Sequence, residues 1–103
     1  MANKYNARRT YSALCDRFFS SRAECRRGEE LCLLEKVGEI SGLQYQVKYV
    51  LSKEPKVSIT IDFVYYENGE LIREDSKGIL TRDFRTKLAW LGRDFNIKVK
   101  LSG

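Results

Sequence analysis

Two aspartates, Asp62 and Asp75, and a lysine, Lys77, form a set suited to metal-assisted hydrolysis. Between the two aspartates, Glu67-Asn68-Gly69-Glu70 separates two runs rich in β-branched, aromatic and aliphatic residues. Asn-Gly in that setting is the strongest short-range signal for a hairpin closed by a two-residue type I′ turn. With Asn68 and Gly69 as the turn, the register sets Asp62 opposite Asp75. Strand alternation then puts Thr60, Asp62, Val64, Arg73, Asp75 and Lys77 on one face, and Ile59, Ile61, Phe63, Tyr65 and Ile72 on the other, the core face. Directly opposed carboxylates have Cβ atoms roughly 4.5–5.5 Å apart. At an effective dielectric of ~20 their repulsion is on the order of 3 kcal/mol.

A fold tolerates that repulsion if one carboxylate is protonated, if Arg73 or Lys77 screens the pair, or if a hard divalent cation lies between them. Oxygen ligands in such a cluster suit Mg²⁺ or Mn²⁺, which need few protein ligands beside waters and phosphate oxygens. Lys77, two residues beyond Asp75 on the same face, would be placed to orient or deprotonate a water and to stabilise developing charge. By spacing alone, the same residues also fit a surface Asp/Lys cluster at a sheet edge.

The secondary structure around these residues is legible on either side. Apolar residues Ala23, Leu31, Leu34 and Val37, with Cys32 and Leu33 beside them, predict a helix from Ser21 to Val37, capped by Ser20 or Ser21 and ended by Gly38. Gly28 in its middle marks a weak point or a close approach. Leu43 to Leu51 alternates as a strand, Pro55 lies in a loop, and Val57–Tyr66 and Leu71–Lys77 form the hairpin, closed by Gly78. Thr81 caps a second helix with a Phe84, Leu88, Leu91 stripe and Gly92 near its end, and residues 95–101 alternate as a final strand. The order helix-strand-strand-strand-helix-strand is an α/β arrangement, an α+β fold on a small mixed sheet.

The chain has 103 residues, enough for one core, and reads as a single domain over 1–103 with residues 1–19 a basic N-terminal segment. Histidine is absent, which excludes Ser-His and Cys-His nucleophile pairs, His-ligated zinc and an imidazole base. The net charge of +5 is unevenly spread: seven basic and two acidic residues in 1–28, five and ten in 29–75, seven and two in 76–103. Basic ends flanking an acidic middle suit a polyanionic partner, although a solvated surface gives the same pattern. Cys15, Cys25 and Cys32 fit no zinc ribbon and read as reduced thiols. With no long apolar run and a polar, basic start, neither secretion nor membrane insertion is expected, and the expected location is the cytoplasm.

Ile61-Asp62-Phe63 followed after a hairpin by Glu74-Asp75-Ser76-Lys77-Gly78 resembles the PD-(D/E)XK nuclease superfamily, whose restriction-endonuclease-like core has the element order given above. The chain is most similar to a small phage-encoded family within it that resembles Holliday-junction resolvases. That likeness rests on Asn3-Lys4-Tyr5-Asn6-Ala7-Arg8-Arg9, on Phe19 with Ser21 and Glu24, on Leu33-Leu34-Glu35 through Gly38-Glu39-Ile40, and on Gln46, Asp62-Phe63 and Tyr65. Ile61 stands where many members have Pro, and Gly28 where related sequences often have an aromatic residue.

The resemblance implies metal ligands at Asp62 and Asp75, a catalytic lysine at Lys77, and Glu24 completing the Mg²⁺ or Mn²⁺ site from the first helix, with Glu29 and Glu30 as rivals to Glu24. Glu74 should point away from Asp75 and is left out of that shell. Gln46 or Lys48 would help hold water or phosphate. Arg8, Arg9, Arg22, Lys48, Arg82, Arg85 and Lys87 are the candidates for DNA phosphate contact. Tyr5, Tyr11, Phe18 and Phe19 offer no evident stacking platform, and Trp90 reads as core or dimer interface. The expected function is a metal-dependent endodeoxyribonuclease, selective for branched DNA because so short a chain has no room for a sequence-reading domain. It would act as a homodimer in a host cytoplasm, without an organic cofactor; the alternative is a catalytically silent nuclease fold that binds DNA or a host protein.

Overall fold

The computed structural model describes residues 8–77 and 79–102; Asn3 to Ala7 and Gly78 of the motifs above lie outside them. The elements are β1 (Thr10–Ser12), β2 (Arg17–Phe19), α1 (Arg22–Lys36), β3 (Ser41–Lys53), β4 (Lys56–Glu67), β5 (Glu70–Asp75), α2 (Arg82–Phe95) and β6 (Lys100–Leu101). A four-stranded sheet in the order β3-β4-β5-β6 is an antiparallel meander with β6 added parallel to β5, and β1-β2 is a separate hairpin. The α+β class and the expected order of the last six elements are present. The β1-β2 hairpin lies within the basic N-terminal segment and was not anticipated.

Local chemistry explains the element boundaries. Asn68 and Gly69 both have positive φ, 53° and 77°, as a type I′ turn requires, and the ladder runs from Glu67–Glu70 to Phe63–Glu74 in the expected register. Ser21 caps α1 by accepting from the Glu24 N–H, and Gly38 at φ 83° ends it, with the Gly38 and Glu39 N–H groups returning to Glu35 and Leu34 carbonyls. Thr81 caps α2 through the Phe84 N–H. The C-terminal cap of α2 is Asn96 in the left-handed conformation, rather than a stop near Gly92. Phe95 therefore belongs to the helix, and the strand predicted over 95–101 shrinks to Lys100–Leu101.

Two further expectations are corrected. The buried side of α1 is Glu24, Cys25, Gly28 and Leu31, whereas Ala23 is exposed and Val37 is 72% exposed. The Phe19 ring lies on Gly28 so closely that a Cβ there would stand 2.6 Å from Phe19 Cζ, which is the close approach that the glycine signalled. Nor is there one core face. Phe63, Tyr65 and Ile72 pack with Phe19, Cys25 and Leu31 on the α1 side, while Ile59, Ile61 and Val64 pack with Leu91, Phe84 and Leu88 on the α2 side.

Strict alternation would keep all the odd-numbered residues of β4 together. The change of side falls at Asp62. Across from it, between the Tyr45–Phe63 and Val47–Ile61 pairs, Gln46 has φ 53° and breaks the extended course of β3. The same change of side occurs in β3, where Tyr45 packs with the first cluster and Val47 with the second. The candidate site therefore sits at the seam between the two apolar clusters.

Candidate active site

Asp62 on β4 and Asp75 at the end of β5 are both buried and interlocked through the backbone. The Asp62 N–H donates to Asp75 Oδ2 at 3.1 Å, and the Ser76 N–H donates to Asp62 Oδ2 at 3.0 Å. Each carboxylate thus spends one oxygen on a backbone donor of the facing segment and keeps the other for a different partner. Lys77 Nζ forms an ion pair with Asp75 Oδ1 at 3.2 Å, and among the described residues this buried oxygen meets no donor in hydrogen-bond geometry. The Lys77 ammonium also lies 5.1 Å from the centre of the Phe84 ring on α2.

Glu24 reaches the pair from α1. It is buried, its Oε1 accepts from the Ser20 hydroxyl, and its Oε2 accepts from Gln46 Nε2 at 2.9 Å. The same amide nitrogen donates to Asp62 Oδ1 at 3.2 Å, so Gln46 ties the helix carboxylate to the sheet carboxylate. The rivals are engaged elsewhere: Glu29 accepts from the Ser12 hydroxyl at 2.6 Å, and Glu30 pairs with Arg27 at 3.3 Å. Glu74 points the other way, as expected, into a bidentate grip by Arg27 with the Tyr65 hydroxyl as a third donor.

Burial and then the neighbouring Asp62 charge push the Asp75 carboxyl up to about 7, against the partial relief that Lys77 supplies. Glu24 is also raised, chiefly by burial, with the Ser20 hydrogen bond opposing and the Asp62 charge adding. For Lys77, burial pulls the pKa down but the charges of Asp62 and Asp75 outweigh it and the net shift is upward. The ammonium therefore stays charged at neutral pH.

Of the phosphate-contact candidates, Arg8, Arg9, Arg22, Lys48, Arg82 and Arg85 are exposed, while Lys87 is half-buried and paired with Asp83 at 3.1 Å. Arg22 opens α1 two residues before Glu24, and Lys48 lies on β3 two residues beyond Gln46. Sequence reasoning missed Arg17 and Ser20. Arg17 lies on the Tyr45 ring, 4.2 Å from its centre, and its charge bears on Glu24. Among the described residues, its buried Nε has no hydrogen-bond partner. A three-residue strand carries too little periodicity to have revealed it.

Among the described residues, no three His, Cys, Asp or Glu side chains form a ready metal-ligand group. Gln46 rather than a third carboxylate oxygen fills the space between Glu24 and Asp62. The chemistry of the donors still fits a hard cation: adjacent carboxylates crowd negative charge, and among the described residues the buried Asp75 Oδ1 has the Lys77 ion pair but no donor in hydrogen-bond geometry. Residues 2–102 match the family described as a protein of unknown function, DUF1064. The chain belongs to that family. No curated protein and no solved structure matches it. For this DUF1064 member, the site just described is the place where its side chains concentrate buried charge. Among the described residues no helix is long and apolar enough to cross a membrane.

Proposed function

We propose that the chain is a metal-dependent endodeoxyribonuclease of the PD-(D/E)XK type. The observation that carries this reading is the interlocked Asp62–Asp75 pair with Lys77 on its open oxygen and Glu24 tied to it from α1 through Gln46. Five residues, from α1, β3, β4 and the end of β5, are brought together, and three of them (Glu24, Asp62 and Asp75) are buried acids that a purely structural fold would have reason to avoid. Asp62 and Asp75 would hold Mg²⁺ or Mn²⁺, with Glu24 behind them. When bound, the cation would activate water and offset charge on the phosphoryl oxygens. Lys77, kept charged, would donate to a phosphate oxygen. Gln46 fixes the orientation of Glu24 and Asp62, and the basic residues Arg22, Lys48, Arg82 and Arg85 would supply salt-dependent affinity for the DNA backbone. Cutting both strands of a junction needs two such sites, hence a homodimer.

The test is to incubate the protein with labelled four-way junction, flap and duplex DNA, with and without Mg²⁺. Cleavage that needs the metal and disappears in Asp62→Ala is the expected result. Absence of cleavage on every substrate, or equal cleavage by the variant, overturns the reading.

One observation favours a second reading, a nuclease fold that binds without cutting: the Gln46 amide occupies the position between two carboxylates where a cation would compete. Calorimetric titration separates the two. Mg²⁺ or Mn²⁺ binding that is lost in Asp62→Ala supports the enzyme, and no heat of binding supports the silent module.

A further inference from the structure

We infer that the outer face of the β1-β2 hairpin is a stacking platform for unpaired nucleobases, which makes DNA containing single-stranded segments the preferred substrate class. This rests on the nuclease reading only for the identity of the nucleic acid. Tyr11 and Phe18 are paired across the hairpin, and their side chains stand 49% and 48% exposed. The rings meet edge to face with centroids 5.0 Å apart, and the exposed Arg9 guanidinium lies 4.0 Å from the centre of the Phe18 ring.

Two large rings and an arginine held together at the surface, on a strand whose next residue is buried, are a costly arrangement for a protein with no use for them. The arrangement is also held in place. The Tyr11 hydroxyl donates to Asp16 Oδ1 at 2.6 Å, and the inward-facing side of the same hairpin is anchored by Phe19 on Gly28 and by Ser12 on Glu29.

The occupant follows from charge and shape. Arg9 puts positive charge on the Phe18 ring, so an anionic partner with flat apolar faces is matched and a neutral apolar one is not. Nucleobases carried on a phosphate backbone have both properties, and aromatic rings interleaved with arginine are how single strands are held without regard to sequence. Base pairs inside a duplex hide their faces, so the platform adds nothing for paired DNA. Its position relative to the candidate site is fixed by the chain: Phe18 and Phe19 are followed at once by Ser20, whose hydroxyl bonds Glu24. Bases stacked on the hairpin would bring the adjoining backbone toward the carboxylates.

The experiment is fluorescence anisotropy in EDTA, where binding is read without cleavage, using a fluorescein-labelled flap, a single strand and a fully paired duplex. Phe18→Ala and Tyr11→Leu change exposed side chains, and circular dichroism confirms that they fold. Each is expected to weaken flap and single-strand binding by about tenfold and to leave duplex binding unchanged. An RNA single strand run alongside tests the assignment to DNA: a Phe18-dependent loss on the DNA strands supports it, and a loss confined to RNA overturns it. Equal affinities of parent and variants on all substrates, or a loss of the same size on duplex, overturns it. Because no cleavage is measured, a stacking loss without any nuclease activity would retain this inference while the enzyme reading failed.

Discussion

Glu74 and Asp75 are consecutive residues of one strand, both fully buried, and their surroundings are opposite. Glu74 receives two hydrogen bonds from Arg27, at 2.6 and 3.0 Å, and one from Tyr65 at 2.6 Å. Burial alone would raise its pKa, but the Arg27 and Tyr65 hydrogen bonds outweigh burial and hold it below the ordinary carboxylate range. Asp75 faces another carboxylate, has one oxygen that meets no donor in hydrogen-bond geometry among the described residues, and is pushed up to about 7. One side of β5 therefore ties α1 to the sheet with a saturated ion pair, while the other side holds two carboxylates against which Lys77 is the neighbouring cation among the described residues. Burial by itself distinguishes nothing here. The difference lies in whether donors were supplied, and a carboxylate left short of donors is the one available for a ligand.

The largest effect expected from breaking this contrast is on cleavage. Asp75→Ala should lower the rate of DNA cleavage by at least about 1000-fold, equivalent to about 4 kcal/mol of barrier, whereas Glu74→Gln assayed at low temperature should stay near the parent per folded molecule. Quench-flow or gel assays of both variants check this. Stability should respond in the opposite sense: Arg27→Ala leaves Glu74 buried without its cation, and urea unfolding should show a loss of about 3–5 kcal/mol.

Asp75→Asn removes an unbalanced charge and should stabilise the metal-free protein at pH 8 by on the order of 2 kcal/mol, with no gain at pH 4, where the native aspartate is already protonated. The pH profile follows from the two shifts. Stability due to Glu74 is present above its ordinary value of 4.5 and is lost as pH falls below it through the lower native value. Stability associated with Asp75 is fully present below its ordinary 3.8 and is lost as pH rises through about 7. Smallest is the metal effect: Mg²⁺ at ten times its Kd should raise the unfolding free energy by about 1.4 kcal/mol at pH 8 in the parent. In Asp75→Asn the thermal shift should be reduced or absent.

Much of this contrast was legible in the sequence because it depends on a turn. Asn68-Gly69 closes a tight hairpin, and its register, which runs to the Phe63–Glu74 pair, brings Asp75 next to Asp62, whose N–H it accepts. The caps at Ser21 and Thr81 were readable for the same reason: their side chains satisfy specific backbone donors. What could not be read depends on distant partners. The buried side of α1 carries a glutamate and a glycine, which hydropathy assigns to the surface, because Gln46 and Phe19 wait opposite them. The division into two apolar clusters turns on a left-handed glutamine, a residue type that announces no such conformation. The β1-β2 hairpin has strands of three residues, below the length at which alternation can be told from chance.

The contact between Phe19 and Gly28 has a mechanical consequence for the acid on the helix. Because α1 offers bare backbone at that point, the hairpin lies flat against it and Ser20 arrives at the height of Glu24. A single added methyl at Gly28 would act as a shim, lifting the hairpin and drawing the Ser20 hydroxyl away from Glu24. The aim of a carboxylate is thus calibrated by a residue with no side chain, one full turn of helix away from it.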